Sequence, residues 1–193
     1  QALKLYLHAG PTMLNQTGEE PIRRVEVFSR AQRISHWLIA AGMLFQLLSA
    51  WLIEHADVDV LAWVDYHVMA GQALLLPIAF RVYLLTQPGS GHWRLLIPTR
   101  EQRHILRQTL KFYASLGRLP CPDWYAFNPL WQPLYLLMIP VMLLATLSGF
   151  AYGNNLSLAG IRINDLHGFL AQIILHFSLL HIAFAFLHDA RGR

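Results

Sequence analysis

Four runs of apolar residues dominate the pattern along the chain: RISHWLIAAGMLFQLLSAWLI at 33–53, DYHVMAGQALLLPIAFRVYLL at 65–85, LWQPLYLLMIPVMLLATLSGFAY at 130–152, and residues 163–188, which contain DLHGFLAQIILHFSLLHIAFAFLH. A bilayer core of about 30 Å takes roughly 20 helical residues, so each run is long enough to cross. Pro77, Pro133 and Pro140 interrupt the runs, which membrane helices tolerate when neighbours satisfy the freed carbonyls. Between the second and third runs, PTREQRHILRQTLKFYASLGR is polar on average yet periodic. Ile105, Leu106, Leu110, Tyr113 and Leu116 make an apolar side against Arg103, Arg107 and Lys111, and Thr99 with Gln102 fits a capping box. This segment reads as a helix lying on anionic lipid or as a solvated connector. The pattern predicts an all-α integral membrane four-helix bundle with an amphipathic cytoplasmic surface helix between helices two and three.

Charge orients the bundle. Lys4, Arg23, Arg24, Arg30 and Arg33 precede or open the first run, six basic residues lie between Arg94 and Arg118, and Arg191 and Arg193 follow the last run; the two other connections contain Arg162 alone, beside Glu54, Asp57, Asp59 and Asp65. By the positive-inside rule both termini and the long connection are cytoplasmic. The formal net charge of +4 is thereby explained without a nucleic-acid partner. Residues 1–22 hold no signal-type apolar core and read as a cytoplasmic lead-in, with the membrane domain at 23–193. Composition agrees: 55% of the 193 residues are hydrophobic and 13% charged, against roughly 25% charged in soluble domains. The single cysteine, Cys121, excludes an internal disulfide, a cysteine-ligated iron–sulfur cluster within one chain and a CxxCH haem attachment.

The candidate chemistry lies in histidine, present ten times. Histidine is costly in hydrocarbon and calls for a role or a partner there. His167 and His181 are fourteen residues apart on the fourth run, which on a helix puts them within about 40° of one face and roughly 21 Å apart along the axis. His36 lies about one turn into the first run, at the depth of His181. His67 lies about one turn into the second, which enters from the opposite side, at the depth of His167. Two bis-histidine sites, His36 with His181 and His67 with His167, fit two b-type haems stacked across the membrane inside a bundle. Gly42 and Gly71 leave room for a flat macrocycle, and Arg81 and Arg33 suit its propionates. His188, beside Asp189, has two readings: a proton shuttle at a quinone site, or an interfacial residue. His176 points away from the paired face and is assigned to a hydrogen bond with a neighbouring helix or to the headgroup-free interior.

The motifs RAQRISHW, HVMAG, FNPLWQ and H-x13-H, in that order over residues 23–190, resemble the bacterial four-helix cytochrome b561 superfamily. Within it, the similarity is greatest to the b-type cytochrome subunits of nickel–iron hydrogenase, formate dehydrogenase and thiosulfate reductase. That resemblance implies a di-haem membrane anchor in the bacterial inner membrane. Such a subunit passes electrons between a partner redox subunit (iron–sulfur, molybdenum or nickel–iron, or c-type cytochrome) and a quinone, menaquinone or ubiquinone. It implies His67 and His167 at the outer haem, His36 and His181 at the inner one, and Asn128, followed by Gln132, at the quinone. Asn128 before Pro129 is also good helix-capping chemistry. Two rival readings are a stand-alone b561 oxidoreductase and a haem-free, histidine-lined metal carrier. The latter predicts ligands clustered at one depth and acidic groups within the spans.

Overall fold

A computed structural model describes residues 28–55, 59–100, 102–120, 122, 128 and 130–191; the lead-in at 1–22 lies outside them. The four apolar runs form α1 (Arg30–His55), α2 (Val60–Thr86), α4 (Trp131–Phe150) and α5 (Ile163–Arg191), each long and apolar enough to cross a membrane. The amphipathic segment forms α3 (Gln102–Ala114), preceded by one 3-10 turn at Trp93–Leu96. The protein is all-α but for a hairpin of two-residue strands, β1 (Ser157–Leu158) and β2 (Ile161–Arg162).

Local chemistry sets the helix ends. Thr99 and Gln102 make the expected capping box: the Thr99 amide donates to Gln102 Oε1 at 2.9 Å and the Gln102 amide to Thr99 Oγ1 at 3.3 Å. Ser29 and Gln32 repeat it before α1, at 2.9 and 3.3 Å, so each pair satisfies two of the amides that a helix start leaves without partners. Pro77 and Pro140 sit inside continuous helices. Pro133 falls in the first turn of α4, where its missing amide costs no intrahelical bond. In the hairpin, Ala159 and Gly160 both turn at positive φ, 51° and 83°, the handedness that matches strand twist in a two-residue loop.

α1 packs along α2, α4 along α5, and α2 joins the two pairs by packing on α4. The shared core is Met43, Leu74, Ile78, Met138, Val141, Ala145, Leu170 and Ile174. Facing outward, Leu61, Leu76 and Phe186 are 82%, 77% and 73% exposed. So much outward apolar surface on all four spans is the pattern of a bundle solvated by lipid, since water-facing patches of that extent are rare.

α3 docks against the far end of α5, where Tyr113 stacks on Phe184 with ring centroids 4.5 Å apart. Its buried side is Thr109, Phe112 and Tyr113, while Leu110 and Leu116 of the expected apolar side are exposed. The helix ends at Ala114, and the chain turns at Leu116 and Gly117 with positive φ. The Gly117 amide returns to the Phe112 carbonyl at 3.0 Å, so Leu116 no longer belongs to a helical face.

Candidate functional site

α2 and α5 bring His67 and His167 together, with ring centroids 6.3 Å apart and planes nearly perpendicular at 80°. Both rings are held from behind. The Ser49 hydroxyl donates to the Gln46 carbonyl at 3.1 Å, so its oxygen accepts Nδ1–H of His67 at 2.9 Å. Gln46 also donates to the His67 carbonyl at 2.9 Å, which ties α1 to α2. On the other side, Nδ1 of His167 lies 2.9 Å from the Ala145 carbonyl, which can only accept. Ser148 Oγ, itself donating to that carbonyl, lies 3.2 Å from the same nitrogen. Both rings therefore carry the proton on Nδ1 and keep the Nε2 lone pair free. Gly149 allows this approach, since a Cβ there would lie 3.2 Å from His167 Cε1. A cavity of about 430 Å³ adjoins the pair, lined by residues of all four spans and mainly apolar.

α1 and α5 bring together the second pair, His36 and His181, at 6.2 Å and 72°. Here the surroundings are aromatic. Phe177 stacks on His181 at 5.7 Å, and Trp131 and Tyr135 meet its ring edge-on at 5.4 and 5.8 Å. Arg81 lies within electrostatic reach of His36 and Tyr135. Its Nη1 is buried without a hydrogen-bond partner among the described residues. A buried guanidinium nitrogen left unpaired is costly enough to call for an anion.

The spacing of both pairs fits one metal ion between two imidazoles. Two metal–nitrogen bonds of about 2.0–2.1 Å, plus about 1.2 Å from each nitrogen to its ring centre, would give about 6.4–6.6 Å, a little more than the 6.2 and 6.3 Å here. Among the described residues no three His, Cys, Asp or Glu side chains converge on one point. Two histidines per site would suit an iron whose other positions a macrocycle fills, rather than a bare ion needing four protein ligands.

The remaining candidates divide. Gly42 faces Leu74, which takes the space its missing side chain leaves: a Cβ would lie 2.5 Å from Leu74 Cδ1. Its missing side chain lets α1 and α2 approach closely at this point. Gly71 lines the cavity and lets Gln46 approach. Arg33 is exposed at the start of α1, three residues before His36. Asn128 is engaged on both sides: Nδ2 donates to the Tyr113 hydroxyl at 2.8 Å, and Oδ1 accepts the Leu130 amide at 3.0 Å. Gln132 is 2% exposed, donates to the Leu95 carbonyl at 3.0 Å, and keeps Oε1 buried without a partner among the described residues. His188 is half-buried two turns beyond His181. His176 is exposed and bonds back to the Gln172 carbonyl of its own helix at 2.7 Å; the expected bond to a neighbouring helix is absent among the described residues. Ser49, Ser148, Gly149 and the aromatic cage of His181 were not among the sequence candidates. A small polar residue inside an apolar run, as in FQLLSAW and ATLSGF, is the signal that marks the two serines.

No curated protein and no solved structure matches the chain. A family model described as prokaryotic cytochrome b561 matches residues 27–193, all four spans and both histidine pairs included. The chain thus belongs to the prokaryotic cytochrome b561 family and is a multi-pass membrane protein of b-type haem electron transfer.

Proposed function

We propose that this protein is a di-haem membrane anchor that moves electrons between a partner redox subunit and the quinone pool. The observation that carries this reading is the presence of two facing histidine pairs fourteen residues apart on α5. Together they make a relay roughly 21 Å long. His67 and His167 hold one haem and His36 and His181 the other. Bound haem supplies one-electron redox chemistry, and the chain supplies ligands, orientation and a dry, apolar surround. Arg81, with its unpaired buried nitrogen, binds a propionate of the haem at His36 and His181, and Arg33 is placed to assist at the rim. By the distribution of basic residues both termini are cytoplasmic, in the bacterial inner membrane, and the His36–His181 pair is on that side.

Quinone, menaquinone or ubiquinone, docks beside this cytoplasmic pair. The supporting features are the aromatic cluster of Trp131, Tyr113 and Phe184 next to His181 and Gln132 Oε1, an acceptor with no partner among the described residues. Asn128 shapes the site through Tyr113, and His188 with Asp189 carries protons to the cytoplasm. The partner at the opposite face is an iron–sulfur, molybdenum or nickel–iron, or c-type cytochrome subunit. Addition of a short-chain quinol to membranes holding the protein tests the quinone role. Haem reduction should follow in the parent and be slowed in Gln132→Leu with haem content unchanged. Equal rates in both would remove Gln132 from the site, and no reduction in either would remove the quinone.

A further inference from the structure

The two histidine pairs have the same spacing and opposite surroundings. Ser49 is fully buried and its hydroxyl oxygen lies 2.9 Å from Nδ1 of His67. His167 has the Ala145 carbonyl at the same distance with Ser148 behind it. Among the described residues no hydrogen bond reaches the ring of His36 or His181, which contact aromatic rings instead. An acceptor behind an imidazole fixes the ring's rotation and tautomer and pushes electron density onto the nitrogen that meets a metal. A more basic ligand favours the oxidised, more positively charged iron.

We propose that Ser49 is a positioning residue that sets His67 with Nε2 toward His167, and that it holds the His67–His167 site at a lower reduction potential than removal of its hydroxyl would allow. Electrons held at that site are then the more readily passed to the His36–His181 pair, which has no such acceptor behind its rings among the described residues. This rests on the di-haem reading. Ser148 has a smaller part, because the Ala145 carbonyl keeps the Nδ1 proton of His167 when the Ser148 hydroxyl is removed.

The test is a spectroscopic redox titration, with a haem count, of the full chain and of Ser49→Ala, Ser49→Thr and Ser148→Ala. The wave belonging to His67 and His167 is the one missing in His67→Ala. In Ser49→Ala that wave should move to a more positive potential while the other stays. Ser49→Thr, which keeps the hydroxyl, should restore it, and Ser148→Ala should move it little. Two haems with both waves unmoved, or both moved equally, would overturn the proposal and leave the di-haem reading intact. Should Ser49→Ala lose one haem, recovery in Ser49→Thr supports the hydroxyl's role, and failure there assigns Ser49 to packing alone. A parent chain without haem would instead remove the function on which the inference rests.

Discussion

A histidine in an apolar helix says little until its backing is known. His176 turns back on its own helix, whereas His67 and His167 each have Nδ1 against a fixed oxygen, with their rings 6.3 Å apart. The pairing itself was legible in the sequence, because helical periodicity and depth are arithmetic on residue numbers. The acceptors behind the rings were not, since they depend on which neighbouring helix supplies the nearest oxygen. Gly42 illustrates the same limit: its lack of a side chain was visible, but the use of that space by Leu74 follows from how closely α1 and α2 approach. Arg81 is the residue whose role is most open to direct trial. Removal of its charge in Arg81→Met should weaken retention of the haem at His36 and His181 by roughly 10- to 150-fold, the effect of one lost charge-assisted bond of about 1.5–3 kcal/mol. The haem at His67 and His167 should be unaffected, as read by haem loss during detergent washing. Equal loss from both sites would count against the assignment.

Among the elements, the spans were predictable because apolar run length decides them; the structure extends α2 back to Val60 and α5 on to Arg191. The β1–β2 hairpin was not legible, since strands of two residues offer no alternation to read. α3 was recognised from its capping box and period, but which side packs against the bundle was not legible. Tyr113 anchors it to Phe184 and Asn128 at once, which draws Phe112 rather than Leu110 inward. Loss of the capping box in Thr99→Ala should cost α3 about 0.5–2 kcal/mol. The measurable result is faster amide exchange in the first turns of α3, with haem content preserved. Unchanged exchange would show that tertiary docking alone holds the helix.

At the scale of the whole molecule, two packed helix pairs joined through α2 and α4 leave α1 and α5 to meet through His36 and His181, not by close backbone packing. That arrangement gives a cofactor room between helices while the core near Leu74 and Ile78 stays tight. Membrane orientation is testable through the single cysteine. Cys121 lies in the connection between α2 and α4, so with both termini cytoplasmic an impermeant thiol reagent should label it only after cells are permeabilised. Labelling in intact cells would invert the orientation, and with it the side on which quinone docks.

A pyridine haemochrome count with a dithionite-reduced minus oxidised spectrum decides whether each histidine pair holds one haem. Three forms suffice: the parent chain, His36→Ala and His67→Ala. The account predicts two b-type haems per chain in the parent, and one in each variant with spectra that differ from each other. A single haem in the parent, or variants that both retain two, would contradict it.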